Sequence, residues 1–221
     1  MKTNILISLL AVTMFVSLGY NFAYHVIEEK INRNSIAKCE LKTQMNRFWE
    51  DHVIWIRHVA LNVIDDLPGT NIAIERLFKT QSEIGRIIKP YYGKQTSDRL
   101  TILFHVSAIH TLQMLKAIKT TNVNNTKNLE QISTAWKKNA DDIALLLSHT
   151  NPNWKLSVLK RMLYHQITQI TSLGLARKNK YYVSDVAFYD KLRKDVHEIS
   201  DTLTLGIVKH FPLKFKGVQK N

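Results

Sequence analysis

Residues 47–69, RFWEDHVIWIRHVALNVIDDLPG, decide the fold class of this chain. Met45, Trp49, His52, Ile56, Val59 and Val63 recur at alternating intervals of four and three, the period of one face of an α-helix. Pro68 and Gly69 then supply a stop. The spacing predicts a helix from about residue 26 or 42 to Leu67. An imidazole in the middle of that apolar stripe is either a hydrogen-bonded core residue or a ligand, and the choice depends on what other helices place opposite it.

Five more helical segments follow by the same criterion, and no segment alternates at the period of two that a strand requires. The second carries Ile74, Leu77, Gln81, Ile84 and Ile88 and stops at KPYYG. The third is expected to start near Ser97, with SDR as its N-cap, and to turn Ile102, His105, Ile109 and Leu112 inward before the polar loop KTTNVNNTKN. The fourth shows Leu129, Ile132, Trp136, Asn139, Ile143 and Leu146. The fifth shows Leu156, Leu159, Leu163, Ile167 and Ile170, and the sixth Tyr189, Leu192, Val196, Ile199, Leu203 and Ile207. The fold class is all-α, a single helical bundle of five or six helices. A weak repeat relates FKTQSEIGRIIKP followed by LFH to WKKNADDIALLLSHTNP followed by LYH.

Ahead of the bundle, Lys2 precedes an uncharged, mostly apolar run from Ile5 to Tyr24, the layout of an export signal and long enough to act as an uncleaved anchor. The expected organisation is a signal peptide or membrane anchor at 1–24, a polar helical stalk at 25–44 and the bundle domain at 45–216. The globular part then lies outside the cytoplasmic membrane, periplasmic or anchored and facing outward. One cysteine, Cys39, sits in the stalk, so an internal disulfide is excluded and a bridged homodimer is the pairing open to it.

The formal charge is +13, from 31 Lys and Arg against 18 Asp and Glu. Such a balance raises nucleic acid as a partner, but the cations are scattered (KNK, KLRKD, KFKG) with no binding motif around them. The partners expected are instead the membrane, through the N-terminal segment, and anionic envelope components. There is no glycine-rich phosphate loop and no Gly-x-Ser-x-Gly elbow, which sets aside nucleotide kinases and serine hydrolases. No residue pattern names a reaction.

Three histidines on or beside core-facing positions, His52, His105 and His165, come from three different helices. Helical bundles build metal and cofactor sites in this way, projecting imidazoles and carboxylates inward from facing helices. Asp142 and Glu83 are the candidate oxygen ligands or orienting groups, and a transition metal ion is the cofactor such a set would hold. The competing reading of each histidine is a core residue bonded to a carbonyl, and no Glu-x-x-His pair or Cys/His cluster lifts the set to a motif. Asp190, His197 and Asp201 form a second set at helical spacing, equally suited to a surface ion pair. Trp55 and Arg57 are placed to border a pocket near His52.

The segments HVIWIR (52–57), IGRIIKPYYG (84–93), NADDIALLL (139–147), NPNW (151–154) and SDTLTLGIVKHFPLKF (200–215) resemble a family of small bacterial helical proteins without an established function, over about residues 44–216. Some members carry the labels acetylglutamate kinase or glycosyltransferase. This chain has neither an amino-acid-kinase phosphate loop nor a nucleotide-sugar domain, so neither label carries over. The resemblance implies a helical bundle with His52, Glu83, His105, Asp142, His165 and Asp201 at motif positions. The expected function is an exported binding protein with a His/carboxylate metal or small-ligand site in its core. The alternative is a non-catalytic structural or interaction protein of the cell envelope with a basic surface.

Overall fold

The computed structural model describes residues 2–120 and 127–215, as backbone alone for 2–19, 21 and 24–35. The described residues form six helices and no strand: α1 (Lys2–Ile64), α2 (Thr70–Thr120), α3 (Lys127–Thr150), α4 (Leu156–Lys178), α5 (Tyr182–His210) and the single turn α6 (Pro212–Phe215). The all-α expectation is met. Contacts divide the chain into two units, Leu41–His210 and a second made of Met1–Glu40 with Phe211–Asn221. In the second unit Tyr20, Phe22 and Ile36 are exposed, as is the free thiol of Cys39. The side chains of most of residues 1–24, on which the signal or anchor expectation rests, lie outside the described residues. No helix is long and apolar enough to cross a membrane among the described residues.

The unit Leu41–His210 holds the core. Every member of the first stripe is buried: Met45, Trp49, His52, Ile56, Val59 and Val63. α1 closes with Asp66 in the left-handed region, φ 56°, so that the Leu67 amide returns to the Asn62 carbonyl at 3.0 Å. The turn after α4 uses the same device. There Lys180 has φ 61° and the Tyr181 amide donates to the Ala176 carbonyl at 2.8 Å. Neither position is a glycine, so each left-handed residue costs about 1 kcal/mol that the closed turn offsets.

α2 is two helices in one. Its backbone leaves helical angles at Gly93, with φ 78° and ψ 178°, a region open to glycine and almost nothing else. The arms 70–92 and 94–120 fold back on each other, which brings the Phe78 ring to 6.2 Å from that of His105. The segments expected as separate second and third helices are these two arms. The break falls at Gly93 rather than at Lys89: Pro90 lies inside the helix, which runs on to Tyr92 before the backbone leaves helical angles. Ser97 is not an N-cap: it is buried within the helix and its hydroxyl donates back to the Lys94 carbonyl at 2.9 Å.

The register of the second arm also differs from expectation. Leu100, Phe104, Ala108, Thr111, Leu115 and Ile118 are buried, whereas Ile102 is 63% and Ile109 42% exposed. Apolar residues occupy several faces of this arm, so periodicity alone does not choose between stripes, and the inward set is the one that meets α1 and α3. Phe104 packs edge-on to Phe48 and Trp49, with ring centroids 5.8 and 5.7 Å apart. α3 packs on α2 and α4, and α4 on α5. For α4 and α5 the expected stripes are buried from Leu159 to Ile170 and from Leu192 to Ile207.

At one end of this unit three separate segments converge. The Asn151 amide donates to the Tyr92 hydroxyl at 2.8 Å, and the Tyr92 ring lies 5.4 Å from Trp154 and 5.7 Å from His210. KPYYG, NPNW and the end of α5 are thereby fastened together. Their distance in sequence hides a single packing cluster.

Candidate functional site

The five residues expected to share a metal site are placed apart, each with partners of its own. His52 is 4% exposed and enclosed by Phe48, Trp49 and Phe104. Gln81 donates its amide to the Leu77 carbonyl at 2.9 Å and to His52 Nδ1 at 3.1 Å, so the ring accepts and is neutral. Burial lowers its pKa to about 4, only partly opposed by the Gln81 hydrogen bond. His105 lies beside the core rather than in it and donates from Nδ1 to the Thr101 carbonyl at 2.9 Å. Asp142 pairs with Lys138 at 3.3 Å and Glu83 with Arg86 at 3.6 Å, each along its own helix.

His165 is the exception, because it leaves the core altogether. Its side chain is 53% exposed, and Nδ1 lies 2.9 Å from Asp195 Oδ2 of α5. Among the described residues no group of three His, Cys, Asp or Glu side chains could hold a metal ion. The core metal site of His52, His105 and His165 with Asp142 and Glu83 is therefore not assembled. The Asp142 side chain is 46% exposed and that of Glu83 24%, and each is engaged by a cation one turn away on its own helix. The second set is likewise dispersed, with His197 3.4 Å from Glu50 and Asp201 3.1 Å from Lys42. Trp55 and Arg57 also separate: Trp55 lies beneath Arg76, and Arg57 reaches α5.

What the structure builds around His165 is an open pocket of about 670 Å³ over α4, between α3 and α5. Arg161, His165 and Thr168 fall at intervals of four and three and so share one face of α4. Tyr164 leans toward α3, where its hydroxyl donates to Asp141 at 2.6 Å and Lys137 stands 5.9 Å from its ring. Burial acts to raise Asp141, but the Tyr164 and Lys160 hydrogen bonds outweigh it and hold that carboxyl below its usual range. The α5 wall carries Asp195 and Glu198, one turn apart.

The chemistry of this pocket follows from which groups are already engaged. Gln169 donates its amide to His165 Nε2 at 2.9 Å, while Asp195 stands against Nδ1, so both ring nitrogens are occupied. A general base presents one nitrogen to its substrate; here that nitrogen is held by an amide. The contact fixes the ring as part of the wall. Asp195 Oδ2 is buried with no aligned hydrogen-bond donor, and burial raises its pKa against the pull of His165. Arg161 and Glu198 are exposed at the pocket, and neither has a hydrogen-bond or ion-pair partner among the described residues. No protein-family model, curated protein or solved structure matches the chain.

A second polar cluster, absent from the sequence reading, ties three helices. Asp185 is 1% exposed and accepts from both terminal nitrogens of Arg57, Nη2 at 2.7 Å, while Arg177 Nη1 stands 3.6 Å away. Arg177 also donates from Nε to Asp65 at 2.9 Å, and that bond raises the guanidinium pKa further. One signal was present. Extending the last stripe back by one turn from Tyr189 places Asp185 in the core.

Proposed function

We propose that this chain is a helical-bundle binding protein that takes a small polar ligand in the pocket formed by α3, α4 and α5. The observation that carries the reading is the pair of uncommitted charges at one cavity, Arg161 on one side and Glu198 on the other, beside an imidazole whose two nitrogens are both occupied. Groups positioned in this way recognise a ligand without transferring a proton to it. The volume lies inside the usual range for small-molecule sites.

A thermal-shift screen of polar compounds tests it. A ligand at about one hundred times its Kd adds about 2.7 kcal/mol, which raises Tm by roughly 5–10 °C for a domain of this size. Arg161→Leu and Thr168→Leu, both at exposed positions, should keep the parent Tm and lose the ligand-induced rise. A rise that survives both substitutions would place the ligand elsewhere.

We also infer that the bundle works outside the cytoplasmic membrane, held or delivered there by residues 1–24. Lys2 and the uncharged run behind it support this. Alkaline phosphatase fused after residue 221 should be active; activity of a cytoplasmic reporter at the same point instead would overturn it. The rival function, an interaction protein of the envelope, is favoured by the +13 charge. It requires salt-sensitive sedimentation with anionic vesicles in the absence of any small ligand.

A further inference from the structure

We propose that the ligand of the α3–α4–α5 pocket is a short peptide with both termini free, bound as a zwitterion; this rests on the pocket being the binding site. The charges of the cavity are sorted by wall. Lys137 of α3 and Arg161 of α4 are cations, whereas Asp195 and Glu198 both belong to α5. α4 packs against α3 on one side and α5 on the other, so Lys137 stands across the exposed stripe of α4 from Asp195 and Glu198, and Arg161 adds its charge on the stripe itself. A purely anionic ligand would meet two carboxylates, and a purely cationic one would meet lysine and arginine. A molecule with a carboxylate at one end and an ammonium at the other satisfies both walls.

Size and the remaining groups narrow the class further. At about 30 Å³ for each water-sized group, 670 Å³ admits roughly twenty non-hydrogen atoms. That accommodates two or three residues. Between the walls, the Thr168 hydroxyl donates to the Tyr164 carbonyl at 3.0 Å, which leaves its oxygen lone pairs to accept from a peptide N–H. Met162 offers an adaptable apolar contact to small side chains. The imidazole of His165, fixed by Gln169 and Asp195, forms a rigid plane between the two charged ends.

The test is calorimetric titration of the full chain with three probes at neutral pH. They are trialanine, propionyl-alanyl-alanine, which lacks only the ammonium group, and trialanine amide, which lacks only the carboxylate. Trialanine should bind at least about tenfold more tightly than either truncated probe, the worth of one charge-assisted contact. Glu198→Gln should bring propionyl-alanyl-alanine within about twofold of trialanine while keeping the penalty for the amide, and Arg161→Gln should do the reverse. Equal binding of all three probes, abolished by Thr168→Leu, would overturn the zwitterion assignment and leave the pocket standing. Absence of binding by every probe overturns the peptide assignment, and the thermal-shift screen then decides the pocket by itself.

Discussion

Gly206 of α5 lies directly under the indole of Trp154: a Cβ at position 206 would stand 1.9 Å from Trp154 Nε1 and 2.4 Å from Cδ1. Trp154 is 1% exposed, the last residue of NPNW, and packs against Tyr92 with the two rings tilted at 49°. Helix and loop approach this closely only because position 206 has no side chain. The contact closes the end of the unit at which Tyr92, Asn151 and His210 meet.

Gly206→Ala should therefore destabilise the protein by about 3 kcal/mol, at the upper end of overpacking costs, even though alanine is the better helix former by about 1 kcal/mol. In a Trp154→Leu background the same substitution should cost far less, because the clashing indole has gone. Denaturant melts of the two singles and the double give the coupling. Equal cost in both backgrounds would show that Gly206 matters for another reason.

The burial of His52 makes stability depend on pH. Its folded pKa of about 4 lies below the ordinary value of 6.5, so the unfolded chain binds the extra proton first as pH falls. The contribution is complete above pH 6.5 and is lost progressively between pH 6.5 and 4, amounting to about 3 kcal/mol. His52→Leu should flatten that part of the stability curve and, by removing a polar group from an aromatic enclosure, keep the neutral-pH Tm near the parent's. An unchanged pH slope in the variant would assign the dependence to other groups.

Metal should have no common effect on the three histidines first grouped together. His52 accepts from Gln81, His105 donates to the Thr101 carbonyl, and His165 accepts from Gln169 at Nε2 with Asp195 2.9 Å from its Nδ1. Zinc added to the parent should produce no rise in Tm that His52→Leu, His105→Leu and His165→Leu each abolish. A shared loss across all three would restore the metal-site reading.

Asp185 is the acid whose removal should be felt most. Asp185→Asn leaves Arg57, 15% exposed, facing a neutral amide, and should cost about 3–5 kcal/mol. Asp142→Asn, on an exposed pair with Lys138, should change stability by less than about 0.5 kcal/mol. Urea midpoints at constant m-value separate the two.

How much of this was legible can be argued from particular helices. The stripe from Met45 to Val63 keeps the four-and-three spacing over five intervals, and all six of its members are buried although Ile54, Trp55 and Leu61 put apolar groups on other faces. The arm 94–120 carries apolar residues on several faces, so the choice of Phe104 over Ile102 waited for the helices that cover it. Lys89-Pro90 reads as a stop, yet Gly93 makes the turn. Glycine alone reaches φ 78° with ψ 178° without strain, and only the path of the chain shows that the reversal is made there.

The candidate site divides in the same way. Sequence by itself determined an all-α protein, the inward position of His52 and a strongly basic composition, because period and charge are properties of neighbours along the chain. Only the tertiary structure decided that His52 pairs with Gln81, that His165 turns outward to meet Asp195, and that Arg161 and Glu198 face one cavity without partners. The physical reason is that a histidine's role is set by what stands about 3 Å from its ring nitrogens. In a bundle those atoms come from other helices, whose rotation and register are fixed by packing.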